Sequence, residues 1–304
     1  MECTDIAPPV RRRFIPAAPL PPAPGEPPPP ESRYFSRRRL EAGLIINLSG
    51  IGGYDWFPRW TRIGLDQAGV PGASVIYHWS VGPLGLWLTD VVAHGRNRAV
   101  AADLAATIAV YRRWMPGRPV TLIGHSGGAA IAAWALESMP DGCYVDTTIL
   151  LAPALSPRYN LSRALARVSG RAYAAHSWLD LGLMGLGMIV FGGLDRRHGP
   201  GAGLVGFRPP RDAAEAGGDA DAAQDATGAA IRAAREAGRA ARAADRAAYA
   251  KLRQIRWHPR MIRDGHLGGH IGWTSIRFAR RVLAPILLGR SDPGEPLTPG
   301  KPGG

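Results

Sequence analysis

Residues 120–136, "VTLIGHSGGAAIAAWAL", change character within a few positions. The first four residues are apolar or β-branched, as in a buried strand. From Gly127 onward the residues are mostly strong helix formers, with large side chains at helical spacing. A strand that runs directly into a helix leaves little room at the turn, and glycines flank Ser126 at positions 124 and 128. The segment therefore predicts a G-x-S-x-G nucleophile elbow with Ser126 at its corner.

The alternative interpretation of this segment is a glycine-rich turn in which Ser126 only caps the helix. A bare G-x-S-x-G pattern recurs by chance, but the strand before it and the helix after it are the context that the elbow requires. At such an elbow the first amides of the helix point at an oxyanion formed beside the serine. We therefore favour the elbow, with the backbone amide of Gly127 as one oxyanion donor.

The second oxyanion donor is expected in the loop "SGIGGYDW" at residues 49–56, which follows the first core strand. Its glycines allow the backbone to approach a ligand closely. We assign the amide of Ile51 to this role, with the amide of Gly52 as the alternative. Aromatic residues near these motifs are candidates for lining a substrate pocket: Tyr54, Trp56 and Trp178.

A serine nucleophile needs a base to take its proton and an acid to orient that base. In α/β sheets with an elbow, the acid and then the histidine follow the serine along the chain. Asp180 follows the strand that ends near residue 176, and ligand-facing residues of such sheets lie beyond strand carboxyl ends. Asp195 is the alternative acid. His270 lies in a glycine-rich loop just before the last predicted helix and is the expected base, with His266 as the alternative.

Apolar strand-like runs alternate with helical periodicity along the chain. Strands are predicted at residues 44–48, 73–79, 120–123, 146–151 and 172–176, and helices at residues 97–114, 127–139, 161–168 and 274–288. Because most of these strands are apolar throughout, we expect a parallel sheet with helices on both faces. Few residues remain for an N-terminal hairpin, so the sheet should be a reduced one.

Composition divides the 304 residues into one core and three segments that are poor in large apolar side chains. Residues 1–38 are rich in proline and arginine, residues 291–304 in proline and glycine, and residues 212–250 in alanine. Such segments bury too little apolar surface to join a core. We predict disordered tails at both ends and a solvated insertion at residues 212–250, within one α/β domain at residues 39–290.

Four features together resemble the α/β-hydrolase-fold serine hydrolases: "LIINLSGIGG" at residues 44–53, "TLIGHSGG" at residues 121–128, Asp180 after a late strand, and "GGHIGW" at residues 268–273. The resemblance covers about residues 41–290. It implies a three-layer α/β sandwich, a Ser126–His270–Asp180 triad and cleavage of an ester, thioester or amide through an acyl-enzyme. The substrate would be a small acyl compound, with no cofactor and no metal ion. Acyl transfer to an alcohol is compatible with the same chemistry.

The chain carries a formal net charge of +13, nearly all of it from arginine. Such a charge attracts anionic partners, which leaves two alternatives to an enzyme: a non-catalytic hydrolase-like binding protein, and a basic protein that binds nucleic acid or an acidic lipid surface. Few aromatic residues are interleaved with the arginines. We therefore predict no specific nucleic-acid partner and at most a weak association with an anionic surface.

Targeting signals and cysteines bear on where the protein is located. The N-terminal residues lack the apolar core of a secretory signal, and the longest apolar run, residues 181–194, is too short and glycine-rich to span a bilayer comfortably. Cys3 and Cys143 are the only cysteines, from which we expect no disulfide framework and no metal cluster. A cytoplasmic protein is expected, and the sequence leaves the oligomeric state open.

Overall fold

The computed structural model describes residues 33–82, 87–209 and 228–296. Its strands are β1 (Leu44–Leu48), β2 (Ala73–Tyr77), β3 (Val120–His125), β4 (Val145–Leu151), β5 (Val168–His176), β6 (Leu252–Arg256) and β7 (Glu295–Pro296). They form one sheet in the order β2-β1-β3-β4-β5-β6-β7. Strands β1 to β6 are parallel, and β7 adds a short antiparallel edge.

Helices cover both faces of this sheet. They are α1 (Arg37–Ala42), α2 (Trp56–Gln67), α3 (Trp87–Val92), α4 (His94–Trp114), α5 (Gly127–Glu137), α6 (Ser162–Ala166), α7 (Met188–Phe191), α8 (Ala202–Val205), α9 (Gly228–Tyr249), α10 (Ile276–Phe278) and α11 (Ala284–Leu287). The π-helical segments Leu181–Gly187 and Ala279–Leu283 run into α7 and α11. Turns of 3-10 helix cover Pro259–Asp264 and Gly272–Thr274.

The core is divided by the sheet into two layers because successive side chains of a strand point to opposite faces. On β1, Ile46 packs in one apolar cluster with Leu104 of α4 and Trp134 of α5. Its neighbour Ile45 packs in the other cluster with α2 and the final helix. The predicted fold class, an α/β three-layer sandwich around a mostly parallel sheet, is confirmed. All five predicted strands are present within four residues of their expected ends.

The folded part of the chain extends beyond the predicted domain limits at residues 39 and 290. Phe35 is buried in the core, and α1 begins at Arg37. At the other end, Asp292 accepts a hydrogen bond from the hydroxyl of Tyr173 (2.8 Å) and pairs with Arg253. The rest of the predicted tails, residues 1–32 and 297–304, lies outside the described residues.

The predicted insertion at residues 212–250 lies outside the described residues up to position 227. Its remainder is α9, whose final residue, Tyr249, is buried. The hydroxyl of Tyr249 accepts a hydrogen bond from the amide of Leu161 (2.9 Å). The last turn of the alanine-rich segment is therefore part of the core, because it leads directly into β6. The sequence pattern does not predict β6, because "LRQIR" is short and three of its five residues are polar.

Cys143 is buried and disulfide-bonded, a pairing that the sequence analysis did not predict. Across the described ranges, no helix is long and apolar enough to cross a membrane.

Candidate active site

Ser126 lies at a sharp corner between β3 and α5. Its backbone adopts φ 56° and ψ −120°, a conformation that a residue with a side chain rarely takes. Three hydrogen bonds hold it there. The amide of Ser126 donates to the carbonyl oxygen of Leu151 (2.8 Å), and its carbonyl oxygen accepts from the amides of Ala129 (3.1 Å) and Ala154 (3.2 Å). The corner therefore has the strand–turn–helix geometry that the motif predicted.

Neighbouring backbone atoms leave no room for a side chain at either glycine of the motif. A Cβ atom on Gly124 would lie 2.5 Å from the carbonyl oxygen of Gly128. A Cβ atom on Gly128 would lie 2.3 Å from the carbonyl oxygen of Ser49, at the end of β1. Both distances are far shorter than any real Cβ contact. The start of α5 can thus pack against β1 and β3 only if these positions lack side chains.

The predicted acid and base lie next to each other. Asp180 follows β5, and its Oδ2 atom accepts a hydrogen bond from Nδ1 of His270 at 2.5 Å. The other oxygen, Oδ1, accepts from the amide of Met184 (3.4 Å). Both side chains are largely buried, which strengthens an ionic hydrogen bond. With Nδ1 bound to Asp180, Nε2 of His270 is the ring atom left to exchange a proton with a substrate or nucleophile.

His270 also contacts the residue that precedes Ser126. Nε2 of His125 donates a hydrogen bond to the carbonyl oxygen of His270 (3.0 Å), and the two imidazole rings lie 4.7 Å apart. Within the described residues, Ser126 makes no hydrogen bond to His270. Such bonds are often long without substrate and shorten when it binds. The structure thus brings Ser126, His270 and Asp180 to one edge of the sheet, beyond the carboxyl ends of β3, β5 and β6.

The alternative base, His266, is fully buried against three aromatic rings. The ring of Trp273 is 4.0 Å away at nearly a right angle, and Trp257 and Phe278 complete the contact. Nδ1 of His266 accepts a hydrogen bond from the amide of Gly268 (2.9 Å), which makes the ring neutral. Burial lowers the pKa of His266 to about 4. Its contacts make it a packing residue of the loop that carries His270.

The alternative acid, Asp195, lies in a turn after α7. Its Oδ2 atom accepts a hydrogen bond from the amide of Ser156 (3.1 Å), which ties this turn to the segment that follows β4. Among the described residues, Asp195 has no hydrogen bond or ion pair with a histidine. Its position suits a structural contact between two loops.

The loop after β1 lies against the start of α5, as expected of an oxyanion loop. A Cβ atom on Gly127 would lie 2.8 Å from Cγ1 of Ile51. The amide of Gly52 donates to Oδ2 of Asp90 at 2.9 Å, so this alternative donor is already engaged. The amides of Ile51 and Gly127 have no acceptor within the part of the chain that the structure describes. These two amides are therefore available to an oxygen at Ser126.

Asp90 is a residue of this site that the sequence analysis did not identify. It is fully buried at α3 and accepts hydrogen bonds from the amides of Gly52 and Val81 and from the hydroxyl of Ser80. Its Oδ1 also lies 3.5 Å from the guanidinium of Arg96. The signal in the sequence is weak, because an aspartate in the first turn of a helix is common. Only the tertiary fold shows that its carboxylate holds the loop after β1.

The three aromatic pocket candidates are about half exposed at the same edge. Tyr54 stacks on Trp56 with ring centres 5.1 Å apart and packs over Gly52. Trp178 contacts the ring of Trp257 at 6.1 Å. Their exposure leaves them free to contact a ligand, so a role in the substrate pocket stays a prediction.

The match to a known family covers part of this site. Residues 93–192 match the family described as serine aminopeptidase, S33. The matched range contains Ser126 and Asp180 and ends before His270. No curated protein matches the chain significantly.

Several solved structures are distantly similar to the chain. Est1E from Butyrivibrio proteoclasticus is 8% identical over 82% of this chain and 88% of its own, with a TM-score of 0.42. Esterase PE8 is 19% identical over 44% of this chain and 68% of its own, with a TM-score of 0.29. A lipase-esterase related protein from Clostridium acetobutylicum ATCC 824 is 15% identical over 39% of this chain, with a TM-score of 0.26. The chain covers 44% of the length of that last protein.

The sheet order, the elbow at Ser126 and the family match agree with one another. They identify the chain as an α/β-hydrolase-fold protein that is similar, over residues 93–192, to the serine aminopeptidase S33 family.

Proposed function

We propose that the protein is a serine hydrolase that cleaves an ester, thioester or amide of a small acyl compound through an acyl-enzyme. The observation that carries this proposal is the position of Ser126: it occupies a strained elbow next to the loop that carries His270, whose ring is hydrogen-bonded to Asp180. A strained backbone at a non-glycine residue costs stability and persists where the surrounding structure enforces it, most often at functional sites.

In the first step, the Oγ atom of Ser126 attacks the acyl carbon of the substrate and its proton passes to Nε2 of His270. Asp180 accepts the hydrogen bond from Nδ1 and stabilises the imidazolium that forms. The carbonyl oxygen gains a negative charge, which the amides of Gly127 and Ile51 are positioned to bind. Asp90 supports this step indirectly by fixing the oxyanion loop through Gly52.

The tetrahedral intermediate then collapses. The bond to the leaving group breaks, His270 returns its proton to that group, and the acyl chain remains on Ser126. A water molecule attacks the acyl-enzyme with His270 as its base, releases the acid and restores the serine. An alcohol in place of water would give acyl transfer by the same steps. The ratio of acid to ester product in mixed solvents distinguishes these two outcomes.

The other buried histidines of the site do not compete with this role. Burial lowers the pKa of His125 to about 3 and that of His266 to about 4, so both are neutral at pH 7. No positive charge at these positions then opposes the imidazolium that forms on His270.

We propose that the protein is located in the cytoplasm.

Turnover of a chromogenic short-chain ester tests the proposal directly. Replacing Ser126 with alanine should lower kcat by at least about 10³-fold, because the whole catalytic unit is lost with its nucleophile. Ser169→Ala is the matched control: its hydroxyl bonds the carbonyl oxygen of Val145 at the opposite edge of the sheet. Equal turnover in the wild type and Ser126→Ala would favour the non-catalytic alternative, a hydrolase-like binding protein.

A further inference from the structure

The eleven residues after Asp180 carry no polar side chain. They form the π-helical segment Leu181–Gly187 and α7. Two methionines, Met184 and Met188, face the core. The other six large side chains are each at least 50% exposed and form what we call the apolar ridge: Leu181, Leu183, Leu186, Ile189, Val190 and Phe191. A continuous exposed apolar surface of this kind marks an interaction site more often than it occurs by chance.

The apolar ridge adjoins the candidate active site. It starts at Asp180, whose carboxylate accepts a hydrogen bond from the amide of Met184 inside the π-helical segment. The segment before the apolar ridge is hydrogen-bonded to the loop that carries His270, since the hydroxyl of Ser177 donates to the carbonyl oxygen of Gly268 (2.5 Å). That loop exposes apolar side chains of its own, including Leu267, which is 77% exposed. Because β5 and β6 are parallel neighbours, both segments leave the same edge of the sheet.

A basic turn is folded directly against the end of the apolar ridge. Nδ1 of His198 lies 3.0 Å from the carbonyl oxygen of Ile189, and the amide of Gly193 donates to the carbonyl oxygen of Arg197. Arg196 and Arg197 are exposed on this turn, and neither has an ion-pair partner within the described ranges. Positive charge thus flanks an exposed apolar surface.

This combination fits one kind of partner, an anionic lipid bilayer. Apolar side chains at an interface bury in the region between headgroups and acyl chains, and flanking arginines attract the negative headgroups. A second copy of the chain fits less well, because a twofold contact through the apolar ridge would bring the same arginines towards each other. The net charge of +13 also attracts the protein to an anionic bilayer, as the arginines of the basic turn do.

We propose that the apolar ridge docks the protein on an anionic membrane surface and that the acyl substrate is an ester dissolved in that membrane. The second half of this proposal rests on the proposed function. Docking through the apolar ridge would turn the edge that carries Ser126 and His270 towards the lipid, so the substrate could reach the serine without crossing bulk water. The basic turn would face the headgroups.

Co-sedimentation of the full chain with vesicles tests the docking. The vesicles consist of phosphatidylcholine alone or of an equimolar mixture with phosphatidylglycerol. We expect the wild type to bind the mixed vesicles at least about tenfold more tightly than the neutral ones. The variant Leu183→Ser/Leu186→Ser/Ile189→Ser should lose binding at least tenfold. Removing Arg196 and Arg197 should weaken binding about fivefold for each arginine and reduce its dependence on salt.

Three controls make the result decisive. Trp114→Ser/Tyr144→Ser removes exposed aromatic side chains at the opposite edge, before β3 and β4, and should bind like the wild type. A cooperative thermal melt checks that the triple variant is folded. Ser126→Ala should bind vesicles fully, since docking does not require turnover. The docking proposal can therefore stand if the proposed function fails, and the reverse also holds.

Several outcomes would overturn the docking. These are equal binding to neutral and mixed vesicles, unchanged binding of the folded triple variant, and no binding at all. A wild-type dimer in light scattering that the triple variant converts to a monomer, without vesicle binding, would show that the apolar ridge joins two copies. For the substrate class, the folded triple variant should lose turnover of a vesicle-embedded ester at least tenfold relative to a water-soluble one. An unchanged ratio would contradict that half of the proposal.

Discussion

Nε2 of His125 donates a hydrogen bond to the backbone carbonyl oxygen of His270 at 3.0 Å. The bond joins the residue before Ser126 to the residue that we propose as its base. It joins the last residue of β3 to the loop after β6, two segments that are far apart in the sequence. His125 is buried, and desolvation by burial is the main cause that lowers its pKa to about 3, so it remains a neutral donor throughout the working range of pH.

We predict that His125→Ala lowers kcat for a short-chain ester about 10²-fold and leaves KM nearly unchanged. Without the donor, the His270 loop loses its link to the elbow, and a displacement of about 1 Å between catalytic groups has an effect of this size. His125→Gln keeps an amide donor and should recover part of the loss. Equal kcat in His125→Ala and the wild type would contradict this role. A thermal melt of the variant checks that the lower kcat does not come from a smaller fraction of folded enzyme.

The acid is assigned to Asp180 because its Oδ2 atom contacts His270, whereas Asp195 binds the amide of Ser156. Asp180→Asn should lower kcat about 10⁴-fold, since the amide favours the wrong tautomer of the histidine. Asp195→Asn should retain most of the activity and lose some stability. Steady-state kinetics with melting curves for both variants separates the two effects. A severe loss in Asp195→Asn with Asp180→Asn near wild type would reverse the assignment.

The glycines of the elbow should tolerate no side chain. Gly128→Ala would place a Cβ atom 2.3 Å from the carbonyl oxygen of Ser49, which forces α5 away from β1. We expect a destabilisation of about 3 kcal/mol or more, because neither backbone can move freely. Gly95→Ala in α4 is the matched control, since nothing lies within 4 Å of its added Cβ atom. It should stabilise the helix by up to about 1 kcal/mol, and urea unfolding of the two variants tests the contrast.

Stability should fall in mild acid because buried histidines resist protonation. Burial lowers the pKa of His266 and of His176 to about 4, from an ordinary value of 6.5. Between these values the unfolded chain binds protons that the folded chain does not, so the free energy of unfolding decreases as pH falls from 6.5 towards 4. The contribution of these two histidines to the free energy of unfolding is fully present above pH 6.5. Each histidine contributes at most about 1.4 kcal/mol per pH unit to this slope.

The variant His266→Gln isolates one of these contributions. Its free energy of unfolding should be lower than that of the wild type at pH 7.5, because the aromatic contacts are lost. Between pH 7.5 and pH 4.5 its free energy of unfolding should decrease by less than that of the wild type. Urea unfolding at both pH values measures the two differences. An identical loss in both proteins would mean that His266 titrates normally in the fold.

The elbow could be predicted from the sequence because every local signal agrees. The apolar run before Ser126, the alanine-rich helix after it and the two glycines all require the same turn. The strands of the sheet centre were predictable for a similar reason, since a strand buried on both faces is apolar throughout. Strand β6 lies near the edge and three of its five residues are polar, so the apolar pattern is absent there.

Contacts between distant segments could not be predicted. Nothing near Asp90 in the sequence indicates that its carboxylate binds the amide of Gly52, which lies 38 positions earlier. For the base, the sequence favoured His270 over His266 only by its place before the last helix, because the two residues are four positions apart in one loop. The packing of His266 against Trp273 and the contact of His270 with Asp180 are tertiary contacts, which the sequence does not show.

Labelling with a fluorophosphonate probe, followed by mapping of the adduct, tests the central claim most directly. Such probes react with a serine that is activated as a nucleophile, and they require no knowledge of the substrate. We predict a single adduct on Ser126 in the wild type, none in folded Ser126→Ala, and an unchanged adduct in Ser169→Ala. An adduct on another residue, or none on the folded wild-type protein, would contradict the assignment of Ser126 as the nucleophile.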